Sequence, residues 1–182
     1  FDGNITVENN YIENCGEYWF GGGAIYVRQT SSIGKWIYII NNTAVVGETT
    51  DPAIIIDASG EGGPHVLQCL VRGNKFIGSS DNMKKTVELV NVMGVEVDNN
   101  EFHGLFESLG SFSGISSCKI TNNYVEHAQR AVELPSSIYH CTIKGNYFGH
   151  LDEDEKIGTG SMIGCTLENN LHDDNELVVS LT

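Results

Sequence analysis

The sequence predicts an all-β solenoid, a parallel β-helix of about seven coils with three short strands per coil. Three observations carry that prediction. A short alternating strand ending in Asn-Asn or Gly-Asn recurs seven times, and an apolar or thiol side chain sits five and three residues before the last Asn of each. In most copies a bulky apolar residue follows within two positions. The composition agrees, because 21 glycines against three prolines describe a chain that bends often and builds few long helices.

The seven units are Ile5–Asn10, Ile37–Asn42, Cys69–Asn74, Val95–Asn100, Cys118–Asn123, Cys141–Asn146 and Cys165–Asn170. Their final asparagines lie 32, 32, 26, 23, 23 and 24 residues apart, a mean of about 27, which is a solenoid period. The inward pairs Ile5/Val7, Ile37/Ile39, Cys69/Val71, Val95/Val97, Cys118/Ile120, Cys141/Ile143 and Cys165/Leu167 alternate with period two, so they are strands and not helices. A second strand begins after the corner at Tyr11-Ile12, Phe76-Ile77, Phe102, Tyr124-Val125 and Tyr147-Phe148. A third strand type is read at 24–27, 54–56, 87–90, 131–134 and, after the last corner, 177–179. Each coil satisfies its backbone groups only by pairing in parallel with the coils above and below, which stacks equivalent side chains in files. The corner Asn is expected to take the left-handed conformation of the bend and to bond its amide to the same amide one rung away. The alternative is an antiparallel sandwich whose Asn-Asn pairs mark hairpins. Hairpins give no reason for the same two inward offsets to recur seven times.

With 24 acidic against 10 basic residues the formal charge is −14, which argues against nucleic acid and against an anionic membrane as partner. No apolar run approaches the ~18 residues that insert into a bilayer. Residues 1–182 read as one domain, and the chain is expected to be a piece of a longer one, since it opens within a residue or two of a repeat and closes on a strand.

Four of the five cysteines, Cys69, Cys118, Cys141 and Cys165, share the inward offset five residues before the corner Asn. In-register neighbours about 4.8 Å apart fit a disulfide poorly, so these are expected to be free thiols filling the core. No metal is expected there, because no CxxC spacing and no coordinating His accompanies them. Cys15 stands off this file and has no assignment. His103, His127 and His150 fall three to four residues after a corner Asn, at an exposed strand edge or loop, where a stack of imidazoles could meet a ligand. Asp152-Glu153-Asp154-Glu155 reads as a solvated loop without the spaced ligands of a calcium loop.

Strand, Asn and aromatic corners such as Ile143-Lys144-Gly145-Asn146-Tyr147-Phe148 resemble the recurrent unit of the right-handed parallel β-helix proteins, the pectate-lyase-like superfamily with its phage tailspikes, polysaccharide lyases and epimerases. The resemblance runs from Phe1 to about Leu181 and is specific for fold rather than function. It implies a single-stranded right-handed β-helix in a virion-associated (tail) or secreted, extracellular receptor-binding protein. Such a protein would be a homotrimer that engages surface polysaccharide and hydrolyses it. The alternatives are a non-catalytic adhesin repeat domain, for which Phe1-Asp2-Gly3-Asn4 and Gly22-Gly23-Ala24-Ile25 resemble the FxxN and GGAI repeats of chlamydial-type surface proteins, and a lyase or epimerase. No cofactor is implied.

Within that resemblance the ligand groove runs over outward residues of neighbouring coils. Glu88 and Glu133 are expected to point outward in one file, with Glu107 between them, about 5 Å apart on adjacent coils and about 10 Å on alternate ones. Those separations bracket retaining and inverting glycoside hydrolysis, so Glu88, Glu107 and Glu133 are the candidate catalytic residues. Outward strand positions are also simply polar. Trp19, Tyr26 and Trp36 are the candidate glycan contacts, since exposed aromatic faces stack on sugar rings; packing of Trp19 beneath its own Gly-rich loop is the other reading. The paired aspartates, Gly-His-Gly and Arg-x-Lys set of polygalacturonases are missing, and the basic groove of pectate lyases is absent. A neutral glycan therefore fits better than an acidic one.

Overall fold

A computed structural model describes residues 5–15, 25–28, 36–46, 52–59, 65–78, 83–157, 159–172 and 176–177, and every regular element among them is a β-strand. Strands β1 (Ile5–Glu8), β2 (Tyr11–Cys15) and β3 (Ile25–Arg28) open a pattern that β4 (Trp36–Ile40), β5 (Thr43–Val46) and β6 (Ile54–Asp57) repeat. It returns in β7 (His65–Arg72), β8 (Lys75–Gly78) and β9 (Met83–Val90), then in β10 (Val92–Asp98) with β11 (Glu101–Ser113), and in β12 (Lys119–Thr121) with β13 (Tyr124–Glu133). The sixth set is β14 (Ile138–Tyr139), β15 (Thr142–Lys144), β16 (Tyr147–Phe148) and β17 (Leu151–Ile157). The last is β18 (Met162–Ile163), β19 (Thr166–Glu168), β20 (Leu171–His172) and β21 (Glu176–Leu177).

Strands β1, β4, β7, β10, β12, β15 and β19 lie side by side in sequence order and run parallel in one seven-stranded sheet. The remaining strands form a twelve-stranded sheet, apart from the short parallel pair β14 and β18. The second and third strand types were expected to be separate throughout, but β11 and β13 run continuously through both. A register shift between Phe102 and Leu105 absorbs the bend there. Two further expectations are corrected. The acidic run Asp152–Glu155 lies on β17, paired with β13 through Arg130 and Glu153, and is not a loop. The strand after the last corner is antiparallel, with Leu177 opposite Leu171, and covers the outer edge of β20.

The core lies between the sheets and is built from the inward offsets. Ile37, Ile39, Cys69, Val71, Val95, Val97, Cys118, Ile120, Cys141 and Ile143 are buried, and the second strands contribute a file in which Phe76 stacks on Phe102 at 5.1 Å between ring centroids. At the two ends of the stack the same offsets lose one neighbour. Ile5 is 40% exposed, and Cys165 and Leu167 are only partly covered.

Beside this core runs a continuous asparagine ladder. The Oδ1 of each final Asn accepts both the backbone N–H and the Nδ2 of the Asn one pass earlier, from Asn10 and Asn42 through Asn74, Asn100, Asn123 and Asn146 to Asn170, at 2.9–3.1 Å. From Asn42 onward each Nδ2 also donates back to a strand carbonyl of the pass before, as Asn123 does to Val97. The bend itself belongs to the residue before. Asn9, Asn41, Asn99, Asn122 and Asn169, with Gly73 and Gly145, hold the positive φ, so the two corner residues divide the tasks that the sequence reading gave to one.

Gly73 shows how tight that file is. Its φ is +67°, and a Cβ there would fall 2.5 Å from Asn41 Oδ1. Gly73→Ala should cost about 2 kcal/mol, the left-handed penalty together with the displaced Asn41 amide. A urea melt with unchanged slope and a lowered midpoint checks it, and an unaltered midpoint contradicts it.

Candidate functional site

The outer face of the seven-stranded sheet carries a surface feature in which aromatic and charged side chains meet. Because β4 alternates, burying Ile37 and Ile39 turns Trp36, Tyr38 and Ile40 outward. Trp36 is 46% exposed and lies parallel to Tyr38, with ring centroids 6.0 Å apart and planes 6° from coplanar orientation. Parallel pairing then sets Tyr38, Leu70, Glu96 and Lys119 in one cross-strand row and Ile40, Arg72, Asp98 and Thr121 in the next. Gly94, at φ +80°, sits in a register shift between Met93 and Val95 and presents no side chain. The result is a shallow cavity of about 340 Å³, walled by Trp36 and Tyr38, floored by Leu70 and rimmed by Arg72, Glu96 and Lys119.

The polar rim is already organised. Arg72 donates Nη2 to Glu96 at 2.7 Å and Nε to Asp98 at 2.9 Å, while Asp98 also accepts the Thr121 hydroxyl at 2.7 Å and the Asn122 amide at 3.0 Å. Burial alone would push the Asp98 carboxyl up, yet the Thr121 and Asn122 hydrogen bonds and the Arg72 guanidinium together hold it below the usual carboxylate range. A carboxylate held ionised cannot act as a general acid near neutral pH. Lys119 has no ion-pair partner among the described residues. This site offers a flat aromatic wall, carboxylate acceptors held in place and an ammonium donor.

The sequence-predicted carboxylates lie on the other sheet. Tyr26, Ile55, Glu88, Ser111 and Glu133 form one file, with Tyr26 50% exposed. Ser111, and not Glu107, stands between Glu88 and Glu133. Glu107 lies four residues upstream on β11, where Arg130 donates to it at 3.0 Å. Glu133 Oε2 has the Lys85 ammonium at 2.9 Å, a bridge that crosses the small side chains of the intervening pass. Glu88 has no ion-pair partner among the described residues. Trp36 and Tyr26, read together as glycan contacts, therefore face out from different sheets, and Trp19 lies outside the described residues, as does the side chain of Cys15.

The histidine file is shorter than expected. His127 and His150 meet with ring centroids 4.5 Å apart, but the pass before them places Leu105 opposite His127. His103 sits instead against Tyr124 and bonds Glu101 at 3.0 Å. The four file cysteines are free thiols, and among the described residues no three His, Cys, Asp or Glu side chains converge as a metal centre. No helix among them is long and apolar enough to cross a membrane. Sequence reading missed Tyr38, Arg72, Glu96 and Lys119, although their outward parity in strands with known inward offsets was a usable signal. The chain matches no protein-family model, no curated protein and no solved structure.

Proposed function

We propose that the chain is a right-handed, seven-coil parallel β-helix of the pectate-lyase-like kind, belonging to a virion-associated or secreted receptor-binding protein that holds a neutral surface glycan. Sequential parallel stacking and the unbroken Asn ladder support the architecture. The single observation that carries the binding reading is the cavity with Trp36 and Tyr38 on one side and Arg72, Glu96 and Lys119 on the other. Sugar rings present C–H faces to aromatic planes and hydroxyls to charged groups, and this surface provides both within one cavity. Isothermal titration with neutral polysaccharides tests it. Trp36→Ala should weaken binding roughly 30-fold, the loss of about 2 kcal/mol from one stacked aromatic. Binding that survives Trp36→Ala intact removes the cavity from the reading.

Hydrolysis is a second reading, favoured by one observation. Glu88 and Glu133 share a file two passes apart, about 10 Å at the usual strand spacing, next to the range for inverting hydrolysis. Glu133 is held by the Lys85 ammonium at 2.9 Å, a contact that a substrate would have to displace. Release of new reducing ends from a bound glycan would establish it, and binding without release leaves the protein an adhesin-like binder. Trimeric assembly belongs to the same proposal and is read from the mass in solution.

A further inference from the structure

We infer that Cys141 and Cys165 form a linear two-coordinate site for a soft monovalent d10 cation, Cu(I) in the first place. Cys118, Cys141 and Cys165 occupy the same inward offset on successive passes, tied by the bonds Thr142 N–H to Cys118 O and Thr166 N–H to Cys141 O. Their thiols point the same way. Each donates to the carbonyl two residues earlier, Cys118 to Ser116 at 3.3 Å, Cys141 to Tyr139 at 3.3 Å and Cys165 to Ile163 at 3.6 Å. Equivalent sulfurs are therefore displaced by one strand spacing, about 4.8 Å. That distance is too long for a disulfide, in keeping with the free thiols. It suits two metal–thiolate bonds of about 2.3 Å laid end to end. Thiolates select Cu(I) over harder ions, and a two-ligand line needs no third converging side chain.

Access selects the pair. Cys118 and Cys141 are sealed in the core, whereas Cys165 is only partly buried. The Cys141 backbone N–H donates to Cys165 Sγ at 3.3 Å, so the two ligand positions are already joined across the strands. Binding forms two metal–sulfur bonds and breaks two S–H bonds. One Cu(I) and two thiols give a buried complex of charge −1 and release two protons through the Cys165 side. Cys69 provides an internal control, because its neighbours in the file are Ile37 and Val95.

The test is a competition under anaerobic conditions, without added thiol, between the full chain and a chromophoric Cu(I) chelator, followed by native mass spectrometry and X-ray absorption. The chain should retain one Cu(I), bound by two sulfurs at about 2.3 Å. Cys69→Val and Cys118→Val should retain it, and Cys165→Val and Cys141→Val should lose it. Circular dichroism establishes that each variant is folded, and Cys165→Ser at the partly buried position serves if a core variant is not. Failure of the wild type to hold Cu(I), retention by Cys165→Val and Cys165→Ser, or loss in Cys69→Val overturns the inference.

Discussion

Asn123→Ala should destabilise the protein by about 4 kcal/mol, with two to three buried polar groups left unpaired at roughly 1–3 kcal/mol each. Asn123 stands mid-ladder. Its Oδ1 accepts from Asn100 N at 3.1 Å and Asn100 Nδ2 at 3.0 Å, and its Nδ2 donates to Val97 O at 3.1 Å and Asn146 Oδ1 at 2.9 Å. The Ala variant still bonds Asn146 through its backbone N–H, but the Asn100 N–H loses its acceptor and Val97 O loses a donor. Against a total stability of about 5–15 kcal/mol this leaves the fold marginal. Asn10, at the exposed end, accepts no ladder bond from the described residues, so Asn10→Ala should cost about 1 kcal/mol. Parallel urea melts of the two variants check the difference, and equal midpoints would show that the ladder contributes nothing beyond its local turns.

Cys141→Asp should unfold the protein at neutral pH, while Cys141→Val should change stability by less than about 1.5 kcal/mol. The thiol is 1% exposed between Cys118 and Cys165, and burial together with the Cys118 hydrogen bond pushes it well above the ordinary thiol range. The Cys118 contact is the larger cause. With no cation beside it among the described residues, this site disfavours an anion, and a carboxylate there has none to offset its charge. The Asp side chain would have a folded pKa raised above its unfolded value of about 3.9, so its penalty grows as pH rises through that value and eases in acid. Thermal melts from pH 4 to 7 should show Cys141→Asp gaining on the wild type as pH falls. A variant that melts like the wild type throughout would place Cys141 outside the core.

The inward offsets were legible because a period-two pattern locked to a repeated corner has one solution, and Ile37 to Ile143 obey it. The corner's division of tasks was legible in principle. Gly replaces Asn at 73 and 145, in the position that needs positive φ, whereas the ladder position is Asn in all seven units. Glu107 was misplaced because the third strand was not counted from its corner: Ser111 and Glu133 lie eleven and ten residues after Asn100 and Asn123, and Glu107 only seven. The same count separates His103, three residues past its Asn, from His127 and His150, both four past theirs. The fused strands β11 and β13 left no turn signal to read. Polarity made a loop of Asp152–Glu155, but pairing with β13 overrode it. The cavity drew on four strands spread over more than eighty residues and on one bulge at Gly94, and no local pattern assembles those.

Distances between spin labels on the outer face of the seven-stranded sheet test the parallel stacking most directly. Thr6, Tyr38, Leu70, Glu96, Lys119, Thr142 and Thr166 form one row. Labels at Thr6 and Lys119 should lie about 19 Å apart, and labels at Thr6 and Thr166 about 29 Å, four and six steps of the strand spacing. A Thr6–Thr166 distance equal to or shorter than the Thr6–Lys119 distance would contradict the stack.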